Sequence, residues 1–554
     1  MPDFAVLAWQ PLLRPPLPDQ QPPQVPSSPL KALTCRNAHT SLTALVTAPE
    51  PVDGARLVVS DLVGERAALP GSGLRIRLAG TVPTPEAGPV CDPLRDVDSF
   101  SIDRCAALVI TALIPAGTPG GQYRGTVSLY VGGAEAARND IEIEVADVTL
   151  PDVHDWNFFL NVWMNPGAVS RRAGVRVWSD EHFELLEPYV RDLAEHGQKT
   201  VVAPICHQPW GTQTFEPYPN LVRWTKRGGA FEFDFSAFDR YVLLHEGLGI
   251  DRSIHCYSIV QGPGATDSSV IAYTDAHSGR EVLLETRVGD PEWRHAWGAF
   301  FEAFGGHLDS RGWLGKTYIG FDEKPDEMMD TLMGFTAERA PGFRTALAGN
   351  IGDHLVGRPD DLALQVGFDE KGVAQPAPAE RSAMGVADLL GSDGVCSVSR
   401  RCPDKTLTTF YVCCGPAFPN TFVHSPLVES RMLPFLAAQG GYDGFLRWSY
   451  NDWPEDVYRH PEYEPWPTGD TFLVYPGERG PVSSLRWEQL REGIQDYELA
   501  MMASANIHDP EQMVDYEQAI SLACRNVDGR TKSIGDIEIA RRLLIPIAAG
   551  REDR

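Results

Sequence analysis

Hydrophobic and polar positions alternate along the chain from about residue 32 to residue 150. A period of two is clear in Leu74–Leu78, Thr126–Val131 and Ile141–Val145. The second segment ends at Gly132-Gly133, a pair that favours a tight hairpin turn. Short strands bounded by turn residues, with no clear amphipathic helix, are typical of a β-sandwich. We therefore predict a β-sandwich domain over residues 32–150.

The pattern changes after residue 155, where apolar segments of strand length recur between helical stretches. Continuous apolar segments of this kind are typical of parallel strands that are buried on both faces. Eight such segments occur in about 300 residues, an alternation that predicts a (β/α)8 TIM barrel over 151–480. The eight segments are Trp156–Trp163, Lys199–Ile205, Ser253–Ile259, Lys316–Phe321, Arg344–Ala348, Leu362–Val366, Leu407–Val412 and Asp443–Tyr450.

Helix signals lie between these strands and after them. Ser179 is placed to cap a helix that Gly197 ends, and Asp290-Pro291 reads as the start of another helix, with four aromatic residues on its buried face. A long helix is predicted from Ser483, and two further helices at about 510–526 and 532–547. Residues 481–554 thus form a predicted helical extension that packs on the barrel.

Prolines dominate the start of the chain, with eight of them between residues 11 and 29. Such a segment favours extended backbone and excludes a packed helix, so residues 1–31 are predicted to be a tail or a strap lying on a domain. The fold class is therefore multidomain, β and α/β, with an N-terminal β-sandwich, a (β/α)8 barrel and a C-terminal helical extension.

The charge balance excludes several classes of partner. The chain has 48 Lys and Arg against 75 Asp and Glu, a net charge of −27, whereas binding to nucleic acids or anionic membranes depends on clustered basic residues. No stretch of 18 apolar residues predicts a membrane span. We expect neither nucleic acid nor membrane as a partner, and the sequence leaves open whether the protein forms a homo-oligomer.

The ten cysteines do not form a C-x-x-C motif, and Cys413 and Cys414 are adjacent. Reduced, mostly buried thiols and the lack of a recognisable secretion signal lead us to expect a cytoplasmic protein. His207 beside Cys206 lacks a second ligand pair at a suitable spacing, so no metal is expected. Motifs for nucleotide, dinucleotide, zinc-protease and serine-hydrolase chemistry are missing, and we predict no cofactor.

Polar and aromatic residues follow the predicted strands, at the end of a barrel where function resides. Aromatic faces stack on the C–H faces of sugar rings, and amides, carboxylates and imidazoles bind hydroxyls, so the set predicts a sugar site. Two alternatives to sugar binding stay open. The loop His207–Trp210 can be purely structural, and Arg447 and Asp452 can form an ion pair at the rim of the barrel. The candidate binding residues are His207, Trp210, Tyr257, Tyr411, Arg447, Trp448, Asn451 and Asp452.

The adjacent acids Asp322 and Glu323 follow the apolar strand Lys316–Phe321. Glycoside cleavage needs an acid to protonate the leaving oxygen, and with a 2-acetamido sugar a second carboxylate can hold the acetamide while its carbonyl attacks. The negative neighbour is expected to raise the pKa of Glu323. The same letters, Gly-Phe-Asp-Glu-Lys, recur around Asp369 and Glu370, and spacing alone does not choose between the two pairs.

A set of short motifs favours the pair Asp322 and Glu323 over the pair Asp369 and Glu370. Together the motifs resemble glycoside hydrolase family 123 over about 140–500, and more loosely over the N-terminal region. The resemblance implies a β-sandwich and a (β/α)8 barrel, with Asp322 as the acetamide-orienting residue, Glu323 as the acid/base, and Tyr411 and Trp448 in the sugar pocket. The motifs are Trp178–His182, His196–Lys199, Gly312–Trp313, Asp322–Pro325, Tyr442–Tyr450, Tyr475–Gly477 and Ser483–Tyr497.

The leading hypothesis is therefore an exo-acting, retaining glycoside hydrolase. It would release a terminal β-linked N-acetylhexosamine, N-acetylgalactosamine in the first place, from an oligosaccharide or glycoconjugate by substrate-assisted catalysis. A glycosidase acting on a sugar without the 2-acetamido group is the first alternative, with Asp369, Glu370 or Asp452 as its nucleophile. A non-catalytic carbohydrate-binding protein is the second alternative.

Overall fold

The computed structural model describes most of the chain. The predicted pair Asp369 and Glu370 lies outside the described residues. The described ranges are 4–22, 28–264, 267–349, 355, 358–368, 374–376, 407–524 and 534–550.

The N-terminal region contains twelve strands in its described residues, arranged in two sheets. They are β1 (Ala5–Trp9), β2 (Leu30–Arg36), β3 (Ala38–Thr47), β4 (Val52–Val59), β5 (Leu62–Val63), β6 (Ala68–Leu69), β7 (Arg75–Val82), β8 (Val90–Asp96), β9 (Phe100–Ile102), β10 (Cys105–Ile114), β11 (Gly121–Val131) and β12 (Ala134–Thr149).

The first sheet contains β1-β3-β10-β7-β8, and the second contains β2-β12-β11-β4-β9 with β5 and β6 alongside. Inward residues of both sheets, such as Leu108 and Leu129, share one hydrophobic core. Gly132 and Gly133 form the predicted hairpin turn between β11 and β12, and both have positive φ, as a tight turn of this kind requires.

The proline-rich start lies on this region as a strap. β1 pairs with β3, which the sequence did not predict. The Arg14 guanidinium then donates to the carbonyl of Cys91 at 2.6 Å and to that of Ser425 at 2.7 Å. Proline removes backbone donors, so the proline-rich part of the strap uses its carbonyls as well as the Arg14 side chain; Pro18 O, for example, accepts from Arg104 N at 2.9 Å.

Fifteen further strands are described after residue 155. They are β13 (Phe159–Val162), β14 (Thr200–Pro204), β15 (Arg223–Arg227), β16 (Ala230–Asp234), β17 (Ser253–Tyr257), β18 (Ser268–Asp275), β19 (Glu281–Arg287), β20 (Thr317–Asp322), β21 (Arg344–Ala348), β22 (Asp361–Phe368), β23 (Ala374–Pro376), β24 (Leu407–Tyr411), β25 (Gly444–Arg447), β26 (Tyr475–Pro476) and β27 (Pro481–Ser484).

Eight of these strands form the predicted barrel. They pair in parallel in the order β13-β25-β24-β22-β21-β20-β17-β14. A parallel bridge between Leu160 and Gln198 brings the first and last strands together, so the barrel is nearly closed. Each of the eight apolar segments identified in the sequence overlaps one barrel strand, which confirms that part of the prediction.

Two excursions from the barrel form a separate sheet that the sequence did not predict. β15 and β16 follow β14, β18 and β19 follow β17, and the four pair in the order β16-β15-β18-β19. β26 and β27 return to the N-terminal region, where β27 pairs with β8 and extends the first sheet. Strands that precede the barrel strands in the sequence and strands that follow them therefore share one sheet.

Nine helices are described. The side chain of Ser179 caps α2 as predicted, and α7 is capped by Ser484, one residue after the predicted Ser483. None of the helices in the described ranges is both long and apolar enough to cross a membrane. The helices are α1 (Pro166–Ala173), α2 (Asp180–Glu195), α3 (Ser236–Gly247), α4 (Pro291–Arg311), α5 (Asp326–Arg339), α6 (Leu427–Gly440), α7 (Leu485–Ala505), α8 (Pro510–Ala523) and α9 (Ile534–Ala548).

Candidate active site

The acids Asp322 and Glu323 lie at the carboxyl end of β20, at the mouth of the barrel. The strand is buried up to Phe321, Asp322 is half-buried, and Glu323 is exposed. Successive side chains of a continuing strand point to opposite faces. Glu323 instead has φ of 46°, in the left-handed region that non-glycine residues seldom adopt, so the strand alternation ends between the two acids.

Neighbouring backbone holds this turn in place. Glu323 N donates to Ala348 O at 2.7 Å, and Gly264 N donates to Glu323 O at 2.8 Å. Gly349, with φ of 142°, lies so close that a Cβ there would be 3.0 Å from the Cα of Glu323. An unusual backbone conformation persists only where its surroundings fix it, and these three contacts do so.

Each carboxyl group contacts an aromatic side chain that the sequence had singled out. The hydroxyl of Tyr411 donates to Oε1 of Glu323 at 2.8 Å, and the indole of Trp210 donates to Asp322. Burial, followed by the negative charge of Glu323, raises the pKa of Asp322 to about 8. Asp322, the more enclosed of the two acids, therefore carries a raised pKa.

Five buried aromatic residues cover the inside of the barrel mouth, and we call them the aromatic floor. The ring of Trp163 lies 4.9 Å from that of Trp210 and 4.7 Å from that of Tyr257, centroid to centroid. Trp448, half-buried, packs against the floor. The members are Trp163, Trp210, Tyr218, Tyr257 and Tyr411.

Lys324, which sequence reasoning did not select, ties a loop to the acid pair. Its side chain is buried, and its ammonium group donates to the carbonyls of Gln261 and Gly262, in the loop after β17. Burial lowers the pKa of Lys324 to about 8, and the nearby charge of Asp322 opposes this shift. The same loop supplies the Gly264 amide that holds Glu323.

Three predicted binding residues have no exposed surface. Arg447 donates to Val412 O at 2.7 Å and forms an ion pair with Asp470, also at 2.7 Å. Asn451 exchanges hydrogen bonds with the backbone of Asn165. In this structure the polar groups of Arg447 and Asn451 face protein and support the barrel mouth, and that the two residues contact substrate stays a prediction.

Asp452 is the third of these buried residues. Its carboxylate accepts from Phe215 N at 2.7 Å, from Glu216 N at 3.0 Å and from the side chain of Asn165 at 3.1 Å. Burial raises its pKa to about 7 even though these donors lower it. Asp452 therefore anchors the loop after β14, the loop that carries Trp210, and its role as a sugar ligand stays a prediction.

His207 is half-exposed, but it lies beside a different cavity. That cavity, of about 570 Å³, is formed by the ends of α2 and α3 and by the four-stranded sheet, and neither Asp322 nor Glu323 lines it. The backbone carbonyl of His207 accepts from Gln261 at 3.0 Å. Among the described residues, no three His, Cys, Asp or Glu side chains come together as metal ligands would.

Sequence reasoning missed Lys324, Gly349 and Tyr218 as parts of the site. Lys324 could have been found, since it directly follows the acid pair in the quoted motif. Gly349 follows a predicted strand, so a close backbone approach was a reasonable inference. Tyr218 lies in the long loop between β14 and β15, and no local pattern marks it.

Comparisons with known proteins show the family and the fold. A model of the glycoside hydrolase 123 catalytic domain matches residues 163–503. Among solved structures, a family 123 glycoside hydrolase from Clostridium perfringens, described for glycolipid glycan hydrolysis, is 20% identical and covers 99% of this chain and 98% of that one, with a TM-score of 0.81. At this identity the likeness establishes the fold.

Two other solved structures are more distant. A GH5 xyloglucanase from Bacteroides ovatus is 8% identical over 84% of this chain and 98% of that one, with a TM-score of 0.29. A GH2 beta-galacturonidase from Eisenbergiella tayi is 10% identical over 83% and 69%, with a TM-score of 0.30. Neither likeness carries an argument. No curated protein matches the chain.

Proposed function

The chain belongs to glycoside hydrolase family 123, and from this premise we propose that it releases a terminal β-linked N-acetylhexosamine, in particular N-acetylgalactosamine. As a member of that family it is a glycoside hydrolase. We further propose that it acts from the chain end, retains anomeric configuration and uses the substrate's own acetamido group as nucleophile. Glycolipid glycans, which the similar Clostridium perfringens enzyme is described as hydrolysing, are the proposed class of substrate.

The observation that carries the proposal is the pair of neighbouring acids over the aromatic floor. Glu323 protonates the glycosidic oxygen while Asp322 accepts from the acetamide N–H. The acetamide oxygen attacks the anomeric carbon and the bond to the leaving group breaks, giving an oxazoline-type intermediate. Glu323, now ionised, takes a proton from water, which opens the oxazoline from the opposite face. Two displacements at one carbon give net retention.

The raised pKa of Asp322 leaves a proton on this acid near neutral pH before substrate binds. A bound acetamide N–H hydrogen-bonds to the ionised form of Asp322 and so favours it. In the proposed mechanism the proton of Asp322 is then transferred to Glu323, where the leaving oxygen needs it.

The aromatic floor supports a sugar as the ligand. Its rings offer flat apolar faces to the C–H groups of a pyranose. The indole Nε1 of Trp163 is buried and has no hydrogen-bond partner within the described residues. Buried donors are nearly always satisfied, and we propose that a sugar hydroxyl or the acetamide oxygen accepts from this group.

A glycosidase that used its own nucleophile would need a second carboxylate about 5–5.5 Å from the acid. Asp452, one of the three candidates, is fully buried and accepts from three donors of the protein. That arrangement disfavours it as a nucleophile. The other two candidates, Asp369 and Glu370, lie outside the described residues.

A panel of aryl glycosides tests the sugar. We expect the β-N-acetylgalactosaminide to be cleaved faster than the β-N-acetylglucosaminide, and the galactoside and arabinoside to be inert. A thiazoline analogue of the oxazoline intermediate should inhibit at concentrations well below KM, because it resembles the transition state rather than the substrate. Equal turnover of the plain galactoside, with no inhibition by the thiazoline, would contradict the substrate-assisted mechanism.

Substitution of each acid tests the residues. Glu323→Gln should lower kcat by roughly 10² to 10⁴, the usual contribution of a general acid, and Asp322→Asn should harm acetamido substrates most. Asp369→Asn and Glu370→Gln are matched controls, since they lie in the same Gly-Phe-Asp-Glu-Lys context. Near wild-type turnover of Glu323→Gln, or an equal loss in Glu370→Gln, would refute the assignment.

A further inference from the structure

Two adjacent cysteines lie at the rim of the barrel mouth. Cys413 and Cys414 follow β24, the strand that ends in Tyr411, and their sulfur atoms are 3.9 Å apart. Cys414 is exposed, whereas Cys413 is half-buried against the aromatic floor. The other described cysteines are all buried, so this pair is the accessible thiol site of the described residues. Those buried cysteines are Cys35, Cys91, Cys105, Cys206, Cys256 and Cys524.

The two thiols differ in reactivity because one hydrogen-bonds to the other. The bond from Cys413 lowers the pKa of Cys414 to about 7, although burial opposes the shift, and the same contact raises the pKa of Cys413. Thiolates rather than thiols are nucleophiles. An accessible thiolate beside a second thiol is the arrangement found where cysteine oxidation is reversible, with one attacking and one resolving residue.

We propose that Cys413 and Cys414 are an oxidation site, at which a hydroperoxide converts the two thiols into a disulfide and so lowers glycosidase activity reversibly. This site is separate from the acid chemistry of Asp322 and Glu323. It gives the enzyme a covalent modification site at the rim of its pocket.

The reaction balances with hydrogen peroxide as the oxidant. The Cys414 thiolate attacks one peroxide oxygen, the O–O bond breaks, and the released hydroxide is protonated to water, leaving a sulfenic acid on Cys414. The Cys413 sulfur then attacks the Cys414 sulfur. The S–S bond forms, the S–OH bond breaks, and the hydroxide leaves as a second water with the proton of Cys413. The two sulfurs lose two electrons in total, and the peroxide gains them.

Forming the Cys413–Cys414 disulfide strains the backbone that leads to the acid pair. The sulfur atoms have to approach by about 1.9 Å, because a disulfide bond is about 2.0 Å long. Cys413 is held on both sides, since its N–H donates to Gly415 O and its carbonyl accepts from the side chain of Asn420 at 2.8 Å. In the proposal, the strain of forming the bond at this held residue is passed to Tyr411, two residues earlier, whose hydroxyl donates to Glu323.

The test treats the full-length enzyme, freed of reductant, with hydrogen peroxide. Activity on the best aryl glycoside is measured before treatment, after it, and after addition of dithiothreitol, and peptides are mapped by mass spectrometry. We expect kcat/KM to fall by about tenfold or more, the scale on which small misplacements act, and to recover with dithiothreitol. The peptide containing both cysteines should lose the mass of two hydrogen atoms.

Variants separate this site from other thiols. Cys413→Ser, Cys414→Ser and the double variant are each compared with their own untreated activity, so a change in basal rate does not matter. None should show the reversible loss, while Cys524→Ser, a buried control, should behave like wild type. Equal reversible loss in the double variant, or a disulfide linking either residue to a different cysteine, would overturn the proposal.

Two further outcomes are decisive. If the Cys413–Cys414 disulfide forms but activity is unchanged, the link to activity is refuted. If no glycoside is cleaved at all, the proposed function fails, and peptide mapping still decides whether the pair is oxidised. Phenylarsine oxide is an independent probe, because trivalent arsenic binds two close thiols with release of water. It should protect wild type from oxidation; lack of any binding would count against a closely spaced dithiol.

Discussion

At the scale of single residues, the bond from Tyr411 to Glu323 makes a direct prediction. Tyr411→Phe keeps the ring in the aromatic floor and removes the donor that lies 2.8 Å from Oε1. Hydrogen bonds to ionisable groups contribute about 1.5–3 kcal/mol, so kcat should fall roughly ten- to hundredfold as Glu323 loses its orientation. Steady-state kinetics on the aryl glycoside measures this, and KM should change little.

Tyr218→Phe is the matched control for that variant. Tyr218 is also in the aromatic floor, but among the described residues its hydroxyl makes only a long contact, of 3.5 Å to Trp163 O. Its loss should alter kcat by less than about threefold, which corresponds to well under 1 kcal/mol. If both variants lost activity equally, the effect would come from the hydroxyls of the floor in general and not from a bond that orients the acid.

The raised pKa of Asp322 predicts the alkaline side of the pH profile. With a pKa of about 8, Asp322 holds a proton below that pH and loses it above that pH. Without a proton, no acid remains for the leaving oxygen, so kcat/KM, which reports the free enzyme, should fall as pH rises through about 8. Asp322→Asn should lack this limb. A wild-type profile that stays flat from about pH 7 to pH 9 would contradict the assignment.

Sequence reasoning located residues at the strand ends but not the direction in which they point. Tyr411 and Trp210 face the acids, whereas Arg447 pairs with Asp470 and Asp452 binds backbone amides of the loop after β14. The partner of Arg447 lies 23 residues away and those of Asp452 more than 200. A local pattern carries no information on such partners, so it cannot separate a ligand from a support.

At the scale of elements, the turn after β20 determines whether both acids face the mouth. Gly349→Ala would place a Cβ 3.0 Å from the Cα of Glu323, at a φ of 142° that side chains rarely adopt. We expect a loss of about 1–3 kcal/mol in unfolding free energy. We also expect a drop of roughly ten- to hundredfold in kcat/KM, because Glu323 is displaced. Thermal unfolding and kinetics measure the two effects.

Gly334→Ala is the control for that turn. Gly334 is an exposed residue inside α5, and a Cβ there would meet nothing within 4 Å. Alanine is a better helix former than glycine by about 1 kcal/mol, so this variant should be as stable as wild type or more so, with normal kcat/KM. Wild-type activity in Gly349→Ala would show that the contact with Glu323 is not required.

Elements were predictable from the sequence where burial was complete. The barrel strands are apolar along their length, and this signal survives without knowledge of neighbours. The four-stranded sheet was not predicted, since strands such as Arg223–Arg227 are mostly polar and only one of these five residues is buried. The positive φ of Glu323 could not be predicted either, because no sequence pattern marks a glutamate whose backbone lies in the left-handed region.

At the scale of the whole molecule, ion pairs join the N-terminal sheets to the helices after the barrel. Arg77 on β7 contacts Glu488 on α7 at 2.5 Å, and Arg486 on the same helix contacts Asp92 on β8 at 3.1 Å. All four side chains are buried. Burial opposes ionisation of Glu488, but the charges of Arg491 and Arg77 hold its pKa well below the usual range. The two ends of the chain are thus connected through a charged interior.

This connection predicts that the N-terminal sheets and the barrel unfold together. Arg77→Met leaves a buried carboxylate short of one partner, and breaking such a pair costs about 3–5 kcal/mol. Arg75→Met, two residues away on the same strand, removes only an exposed pair with Asp96, which is worth about 0–1 kcal/mol. In urea, wild type should show one transition by fluorescence and by circular dichroism, with a lower midpoint in Arg77→Met alone. Equal midpoints in the two variants, or separate transitions in wild type, would show that the sheets are stable without this contact.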